Sequence, residues 1–289
     1  MEPRNARDFN NLKHSRGDWN TSILTYKKGP LRAAADYCSA KRRGVTDLAD
    51  VVRRPRFVLD AGAGNGAYSI WFLARTPSCV ICVDIALPAL RRIAPAHLDS
   101  GVGGRVCPVC ADLAALPFKQ NVFDAIFSID TLGHVSDVNA TLDEFVRTTS
   151  PAARLFLHSE CANYTMRWPD KALIARLGAD TPAERDGHVH LRKSRELFVL
   201  YSRRFRLLSF INPAGYAGWC LGYPEKYRDA FDKAGWKGLR FVAGVLAVCK
   251  RLPVVGSAMR VVNATTNHLE VFFGFSGGGS CFAHLRKPD

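Results

Sequence analysis

The sequence predicts an α/β fold built on a doubly wound, mostly parallel sheet, and three observations lead to this prediction. The first is a series of short apolar runs, typical of buried parallel strands, at residues 57–59, 79–83, 105–110, 123–129 and 154–158. The second is the helical spacing of apolar residues between these runs, which gives the strand–helix alternation of such sheets. The third is a glycine-rich turn directly after the first run, where a strand gives way to a helix.

The glycine-rich turn is the stretch around which the chain is organised. After a strand that ends on Asp60, Gly62, Gly64 and Gly66 let the backbone turn sharply and bring its N–H groups close to a ligand. The spacing is G-x-G-x-G and not the G-x-G-x-x-G of dinucleotide-binding enzymes. A dehydrogenase is therefore disfavoured.

The regular alternation stops near residue 160, and this change predicts a division of the chain. Helices are predicted at 31–43 and 46–53, on either side of the first boundary. We expect an N-terminal arm and helix acting as a lid (1–45), a Rossmann-like cofactor-binding core (46–160), a helical substrate-binding insertion with a sixth strand (161–268), and a C-terminal strand completing the sheet (269–289).

The composition is that of a globular protein, with 47% hydrophobic and 23% charged residues in 289. No apolar run reaches the ~18 residues of a spanning helix. The first residues lack the apolar core of a secretory signal, so we expect a cytoplasmic location. The nine cysteines are an odd, scattered set that indicates reduced thiols. Cys107 and Cys110 form a C-x-x-C without a second pair, and no metal site is predicted.

The net charge of +14 favours anionic partners, such as nucleic acid, phosphorylated substrates or acidic lipid headgroups. The basic residues recur in several clusters, which is equally consistent with a solvated surface. One apolar stretch, 241–262, is broken by Lys250, Arg251 and Pro253. We interpret it as two short core helices joined at Pro253; a membrane-surface segment or the cover of an apolar substrate pocket are the alternatives.

Carboxylates stand at the ends of successive predicted strands, at Asp60, Asp84 and Asp112. Ligands of open α/β sheets bind beyond the carboxyl ends of the strands, so we expect all of them to line one crevice. Asp84 stands where a ribose-binding acid is expected, because a carboxylate can accept hydrogen bonds from both hydroxyls. Asp112 is placed to accept a hydrogen bond from an exocyclic amine.

With these motifs in order, residues 55–160 resemble the class I S-adenosylmethionine-dependent methyltransferases. The resemblance rests on four ordered stretches, VLDAGAGNG at 58–66, VD at 83–84, ADLAALPF at 111–118 and FDAI at 123–126, the last continuing into ID at 129–130 and LGHV at 132–135. It implies a seven-stranded, mostly parallel sheet with an antiparallel last strand, and a helical lid inserted after the fifth strand. It also implies a C-terminal antiparallel hairpin, for which residues 269–286 are the candidate.

The resemblance further implies S-adenosyl-L-methionine as cofactor and a set of residues around it. The methionine part would lie along the glycine loop, the ribose on Asp84, the adenine beside Asp112, and Ile129 with His134 would close the other side. The implied cofactor-binding residues are Asp60, Ala61, Gly62, Gly64, Asp84, Ile85, Asp112, Leu113, Ile129 and His134. Many relatives carry Glu before the histidine of the fourth motif, whereas this chain has Gly133.

Methyl transfer needs alignment and exclusion of water more than acid–base chemistry, but an oxygen nucleophile benefits from a base. The candidates are His134, His158, Glu160, His188 and His190. We predict His158, at the end of the fifth strand, or His190, in the insertion, as the catalytic residue.

The sequence leaves several functions open. The leading prediction is O-methylation of a small molecule, with a sugar, a lipid-linked group or a secondary metabolite as acceptor, because the insertion has aromatic residues suited to a lid: Tyr164, Trp168, Tyr201, Tyr216, Trp219, Tyr223 and Tyr227. An RNA methyltransferase using the basic surface is the alternative, although Ser128–Thr131 lacks the Asn/Asp-Pro-Pro-aromatic tetrad of amino-directed enzymes. A binding or regulatory protein without catalysis is a third hypothesis, and peripheral membrane contact is a possible partnership.

Overall fold

A computed structural model describes residues 11, 39–52, 56–93, 104–178, 188 and 191–289 of the chain. Predictions for the other residues lie outside this description. They include most of the N-terminal arm, the beginning of the helix predicted at 31–43, and the candidate base His190.

The described chain forms a seven-stranded sheet with the order β3-β2-β1-β4-β5-β7-β6. The strands are β1 (Phe57–Ala61), β2 (Cys79–Asp84), β3 (Val106–Cys110), β4 (Phe123–Ile129), β5 (Thr149–Glu160), β6 (Arg206–Ile211) and β7 (Ser280–Arg286). The first five pair in parallel, and β7 is antiparallel to both β5 and β6. The predicted doubly wound, mostly parallel sheet with an antiparallel last strand is confirmed.

Nine α-helices occur among the described residues, and most of them cover the sheet or form the insertion. They are α1 (Ala40–Val51), α2 (Ala67–Leu73), α3 (Leu87–Leu90), α4 (Val138–Thr148), α5 (Asp170–Leu177), α6 (Ser194–Ser202), α7 (Pro224–Lys233), α8 (Lys237–Arg251) and α9 (Pro253–Phe272). The break predicted between 43 and 46 is wrong, because α1 runs through it. Gly44 lies in this helix against the Phe156 ring, where an added Cβ would come within 2.0 Å of the ring.

The two faces of the sheet carry separate hydrophobic cores, as the period of a strand requires. Val58 packs with the cluster that contains Phe127 and Phe156, whereas its neighbour Leu59 packs with the cluster that contains Ile126. Successive side chains of a strand point to opposite faces, so these apolar runs are buried on both sides. The alternation explains why the strands of the core were predictable from short apolar runs.

The C-terminal hairpin expected within residues 269–286 is absent. Helix α9 continues to Phe272, and the antiparallel partner of β7 besides β5 is β6, which lies far earlier in the chain. The buried carboxylate of Glu270 fixes the end of this helix by accepting the backbone N–H groups of Gly215 and Tyr216 at 2.5 and 3.0 Å. A short apolar run has the same composition in a strand and in a helix, and periodicity alone does not separate them.

Two helices joined at Pro253 are confirmed in the stretch 241–262, but their interpretation as core helices is wrong. Phe241 is 72% exposed and Val248 is 61% exposed, whereas the buried residues of α8 are the small Ala243 and Ala247. In the part of the chain that the structure describes, no single helix is long and apolar enough to cross a membrane. The α8–α9 pair passes that test jointly, with a bend of 112° between the helices.

Candidate functional site

A cavity of about 1090 Å³ opens at the carboxyl ends of β1, β2, β4 and β5, between the sheet and the insertion. This is the edge at which open α/β sheets bind ligands. Of the residues implied by the resemblance or proposed as a base, the lining includes Gly62, Gly64, Asp84, Ile85, Asp112, Leu113, Ile129, His134 and His158. The structure thus brings most of the predicted site residues to one cavity.

The glycine loop between β1 and α2 has a backbone that only glycine tolerates at Gly62. Its φ is 78°, and an added Cβ would lie 2.2 Å from the hydroxyl oxygen of Thr131. The loop therefore lies directly against the end of β4. The next glycine, Gly64, donates its N–H to Asp84 Oδ2 at 2.8 Å, which ties the loop to the end of β2.

The two acidic side chains at the cavity's edge are held by the backbone. Asp84 accepts the N–H of Gly64 on one oxygen and that of Ala86 on the other, each at 2.8 Å. Asp112 Oδ1 accepts the N–H of Ala114 at 2.9 Å. A carboxylate offers about four acceptor positions, so both side chains retain acceptor capacity toward a ligand in the cavity.

Asp60 and Ala61 lie behind the cavity and not on its lining. The Asp60 side chain is 2% exposed and accepts the Ser69 hydroxyl at 2.6 Å. Burial, together with the charge of Asp84, raises the pKa of Asp60 to about 7, although the hydrogen bond from Ser69 opposes the rise. Ala61 is fully buried, and its carbonyl accepts the hydroxyls of Ser128 and Thr131. Both residues support the loop from beneath.

A charged group that the sequence did not predict joins α1 to the ends of β4 and β5. Asp130 forms an ion pair with Lys41 through Oδ2, and its Oδ1 lies 2.7 Å from His158 Nδ1. Burial alone would raise the pKa of Asp130, but the charges of Lys41 and His158 hold it well below its usual range. His158 is 1% exposed, lines the cavity and packs against the Phe282 ring at 4.7 Å.

The signals for this group were present but dispersed along the sequence. Asp130 directly follows β4, and its φ of 56° is a left-handed conformation that non-glycine residues adopt infrequently. Lys41 belongs to a basic cluster with Arg42 and Arg43 whose sequence is typical of an exposed surface. Only its tertiary contact with Asp130 distinguishes Lys41 from these neighbours. Sequence spacing cannot bring Lys41 to Asp130, which lies 89 positions later.

A second cluster on the cavity wall contains His134, Glu160 and His188. The two imidazole rings stack with centroids 4.5 Å apart, and His188 Nε2 lies 3.6 Å from Glu160 Oε1. Gly133 makes room for this arrangement, because an added Cβ would lie 2.7 Å from the His188 ring. The absence of the Glu that many relatives carry here thus permits a histidine from the insertion to enter the wall.

The ligand atoms of these three side chains all lie within 4.8 Å of one another, and two imidazoles with a carboxylate suit a divalent transition metal. The ring planes of His134 and His188 are only 22° apart, so their in-plane lone pairs run side by side and do not converge. Coordination of one ion by both rings would require them to turn.

The insertion supplies an aromatic wall, much as its composition predicted. Six of the seven aromatic residues proposed for the lid line the cavity: Tyr164, Trp168, Tyr216, Trp219, Tyr223 and Tyr227. Tyr201 does not; it is fully buried on the sheet and hydrogen-bonded to Ser159 at 2.7 Å. Arg167 lies over the Tyr216 ring at 4.6 Å and donates to the Gly277 carbonyl at 2.7 Å, which joins the lid to the segment before β7.

Comparison with known proteins relates one part of this chain to a family. Residues 58–152 match the family model described as a methyltransferase domain. The demethylmenaquinone methyltransferase of Mycobacterium marinum is 35% identical over 98 residues, which are 34% of this chain and 38% of that protein. This similarity spans less than half of either chain, and the family match ends before the insertion.

Solved structures share the fold over nearly the whole chain. A sarcosine dimethylglycine methyltransferase from Galdieria sulphuraria matches with a TM-score of 0.58 and 13% identity, covering 98% of both chains. The cyclase SpnF matches with a TM-score of 0.59 and 14% identity, covering 98% of this chain and 96% of its own. At such identities the likeness concerns the fold, and a cyclase among the matches shows that this fold does not fix a reaction. The sheet order, the ordered motifs and the family match together identify residues 58–152 as a class I S-adenosylmethionine-dependent methyltransferase domain.

Proposed function

We propose that the chain is an S-adenosyl-L-methionine-dependent methyltransferase that acts on a hydroxyl group of a small molecule. The observation that carries the proposal is one cavity that contains both the glycine loop with Asp84 and the Asp130–His158 pair, whose histidine is buried. The glycine loop and Asp84 suit binding of a nucleoside with a polar tail. Asp130 and His158 suit removal of a proton from a methyl acceptor.

The residues at the sheet edge fit the cofactor. Gly62 and Gly64 line the cavity and carry no side chains, so a ligand can contact the backbone there. Asp84 is positioned by two backbone N–H groups and keeps acceptor capacity for a ribose diol. Asp112 and Leu113 lie on the same wall and would border the base. When bound, the cofactor supplies an electrophilic methyl group.

His158 is the residue we propose as the base. A carboxylate 2.7 Å from Nδ1 favours the tautomer with its proton on Nδ1, which leaves Nε2 as the basic atom. Asp130 then stabilises the imidazolium that forms when Nε2 accepts the acceptor's proton. Because Lys41 keeps Asp130 ionised, the pair remains ready for this role at neutral pH. His190, the other proposed base, lies outside the described residues and stays a prediction.

The aromatic wall supports a small acceptor with apolar character. Trp168 and Trp219, whose ring centroids are 5.4 Å apart, add apolar surface to the cavity lining. Arg167 and Lys226 add positive charge to the same lining, which suits an anionic or lipid-linked acceptor. The names of the relatives above, a demethylmenaquinone and a sarcosine dimethylglycine methyltransferase, indicate small-molecule acceptors in those proteins.

The direct test begins with calorimetric titration of S-adenosyl-L-methionine and its demethylated product, S-adenosylhomocysteine. We expect both to bind, and Asp84→Ala to weaken binding at least tenfold, because the ribose diol loses its acceptor. A mass-shift screen of extracts with isotope-labelled cofactor then reports the acceptor. Absence of binding by either compound contradicts the proposal. Labelling of RNA and of no small molecule would instead support the RNA alternative.

A further inference from the structure

Helices α8 and α9 expose a large set of apolar side chains, which we call the outer face. It consists of Phe241, Val242, Val245, Val248, Leu252, Val254, Val255, Val262, Leu269, Val271, Phe272, Phe273 and Phe275, each 37–82% exposed. Scattered apolar residues are normal on a protein surface, but thirteen exposed ones within residues 241–275 are a concentration that marks an interaction site.

The outer face is built at helical spacing on α8. Phe241, Val245 and Val248 recur at intervals of four and three residues, so they form one stripe. The buried residues of the same helix, Ala243 and Ala247, lie on the opposite side and are small. The larger apolar residues therefore point away from the protein's own core, the reverse of what folding alone requires of an amphipathic helix.

Helix α9 separates the outer face from the cavity. Its residues Arg260, Asn263 and Asn267 line the cavity. Val254, Val262, Leu269 and Phe272 are exposed, and helical geometry places them on the other side of the helix. The same helix therefore presents polar side chains to the proposed acceptor site and apolar side chains to the surroundings.

The charges around the outer face select the kind of partner. Residues 237–275 contain five Lys or Arg and one acidic residue, Glu270; two of the cations, Arg240 and Lys250, pair with Asp232 and Glu225 of α7. Glu270 is buried and bonded to backbone N–H groups, so it does not offset the surface charge. Lys237 and Arg251 are exposed at the two ends of α8. A second copy of the chain would bring like charges together, whereas an anionic lipid surface complements them.

We propose that the outer face docks on an anionic lipid bilayer, with α8 and α9 lying at the membrane interface. Interfacial attachment requires apolar side chains that enter the headgroup boundary and cations that stay among the headgroups, and the outer face provides both. The 112° bend between the helices suits a segment that lies in the interface and does not cross the bilayer. In consequence, and resting on the proposed function, the acceptor is a lipid-borne molecule that reaches the cavity beside α9.

The test is cosedimentation of the full chain with vesicles of phosphatidylglycerol and phosphatidylcholine, compared with phosphatidylcholine alone. We expect binding to the anionic vesicles, and a marked loss with pure phosphatidylcholine or high salt. Phe241→Ser with Phe272→Ser should lower the partition coefficient by about tenfold for each ring removed. These side chains are 72% and 82% exposed, so the double variant retains its core. Val51→Ser, which changes a 56% exposed valine on α1, is the matched control and should bind as the unchanged protein does.

Three outcomes overturn the proposal: no binding to anionic vesicles, equal binding by the double variant, or a dimer in solution that the double variant dissociates. The last would identify a second copy as the occupant. Titration of S-adenosylhomocysteine into the same proteins separates this inference from the proposed function. Docking without cofactor binding contradicts the proposed function alone, and cofactor binding without docking contradicts the lipid surface alone.

Discussion

Replacement of Asp60 by Asn should make the protein more stable at pH 8 and leave its stability near pH 4 almost unchanged. The Asp60 carboxyl is buried beneath the glycine loop, and burial raises its pKa from 3.8 to about 7. Between these pH values the unfolded chain has lost the proton and the folded chain still holds it. Folding therefore takes up a proton, and stability falls as the pH rises through this window.

The size of the effect follows from the same pKa values. At about 1.4 kcal/mol for each tenfold change in acidity, the rise from 3.8 to about 7 amounts to about 4 kcal/mol. This is an upper value for what the buried charge costs the folded state above pH 7. Asn has no charge to bury, and its side-chain oxygen can still accept the Ser69 hydroxyl, so Asp60→Asn removes the cost and keeps the contact.

The assay is urea unfolding of both proteins at pH 4.5 and pH 8, followed by circular dichroism. Asp229→Asn is a suitable control, because this carboxylate is 53% exposed and its replacement should change stability by less than about 0.5 kcal/mol. A gain for Asp60→Asn that is equal at the two pH values, or absent at pH 8, would refute the reasoning. Because Asp60 lies off the cavity lining, S-adenosylhomocysteine affinity should be unaffected; a large loss would mean that Asp60 contacts the cofactor, as the resemblance implied.

Further predictions concern the cavity. Asp130→Asn, which keeps a side chain suited to φ of 56°, should lower kcat by about 10²-fold or more and leave cofactor affinity unchanged. The imidazole ¹⁵N shifts should show a changed tautomer of His158. A normal kcat would exclude the Asp130–His158 pair as the base. Gly133→Ala should displace the His188 ring, seen as loss of its ring-current shifts, whereas Gly238→Ala, which meets no atom within 4 Å, should not. Tyr227→Phe removes a 2.9 Å hydrogen bond to Asp170, whose pKa burial raises to about 6. The cost, about 1–3 kcal/mol in urea unfolding, should be larger at pH 8 than at pH 5, where Asp170 is protonated; the reverse order would contradict it.

The core was predictable from sequence because its determinants are local. A few neighbouring residues are enough to predict each of these elements: the apolar runs of β1, β2 and β4, and the glycine turn between β1 and α2. The carboxylates at strand ends followed from topology, since parallel strands end at one edge of the sheet. This reasoning placed Asp84 and Asp112 on the cavity. It placed Asp60 there as well, because sequence does not tell which face of the strand end a side chain occupies.

The remaining features depend on contacts between distant parts of the chain. The pairing of Lys41 with Asp130 requires α1 to cross the end of β4, and nothing near Lys41 in sequence indicates it. Likewise, the composition of residues 269–272 is compatible with a strand or a helix. The buried Glu270 stabilises the helix by accepting the N–H groups of Gly215 and Tyr216, which lie 55 and 54 positions earlier. The exposure of Phe241 could not be predicted for the same reason, because composition indicates how apolar a segment is and does not indicate which residues cover it.

The position of β7 between β5 and β6 also determines when the fold can be completed. Residues 161–279 leave the sheet after β5; β6 and Tyr201, which bonds to Ser159, return to it, and β7 then pairs with both β5 and β6. During synthesis, β5 therefore presents an open edge until Ser280–Arg286 are available to pair with it. Loss of β7 would leave unpaired edges on β5 and β6, each able to pair with another molecule. The last strand of the sheet thus protects the nascent protein from aggregation by covering the edges of β5 and β6.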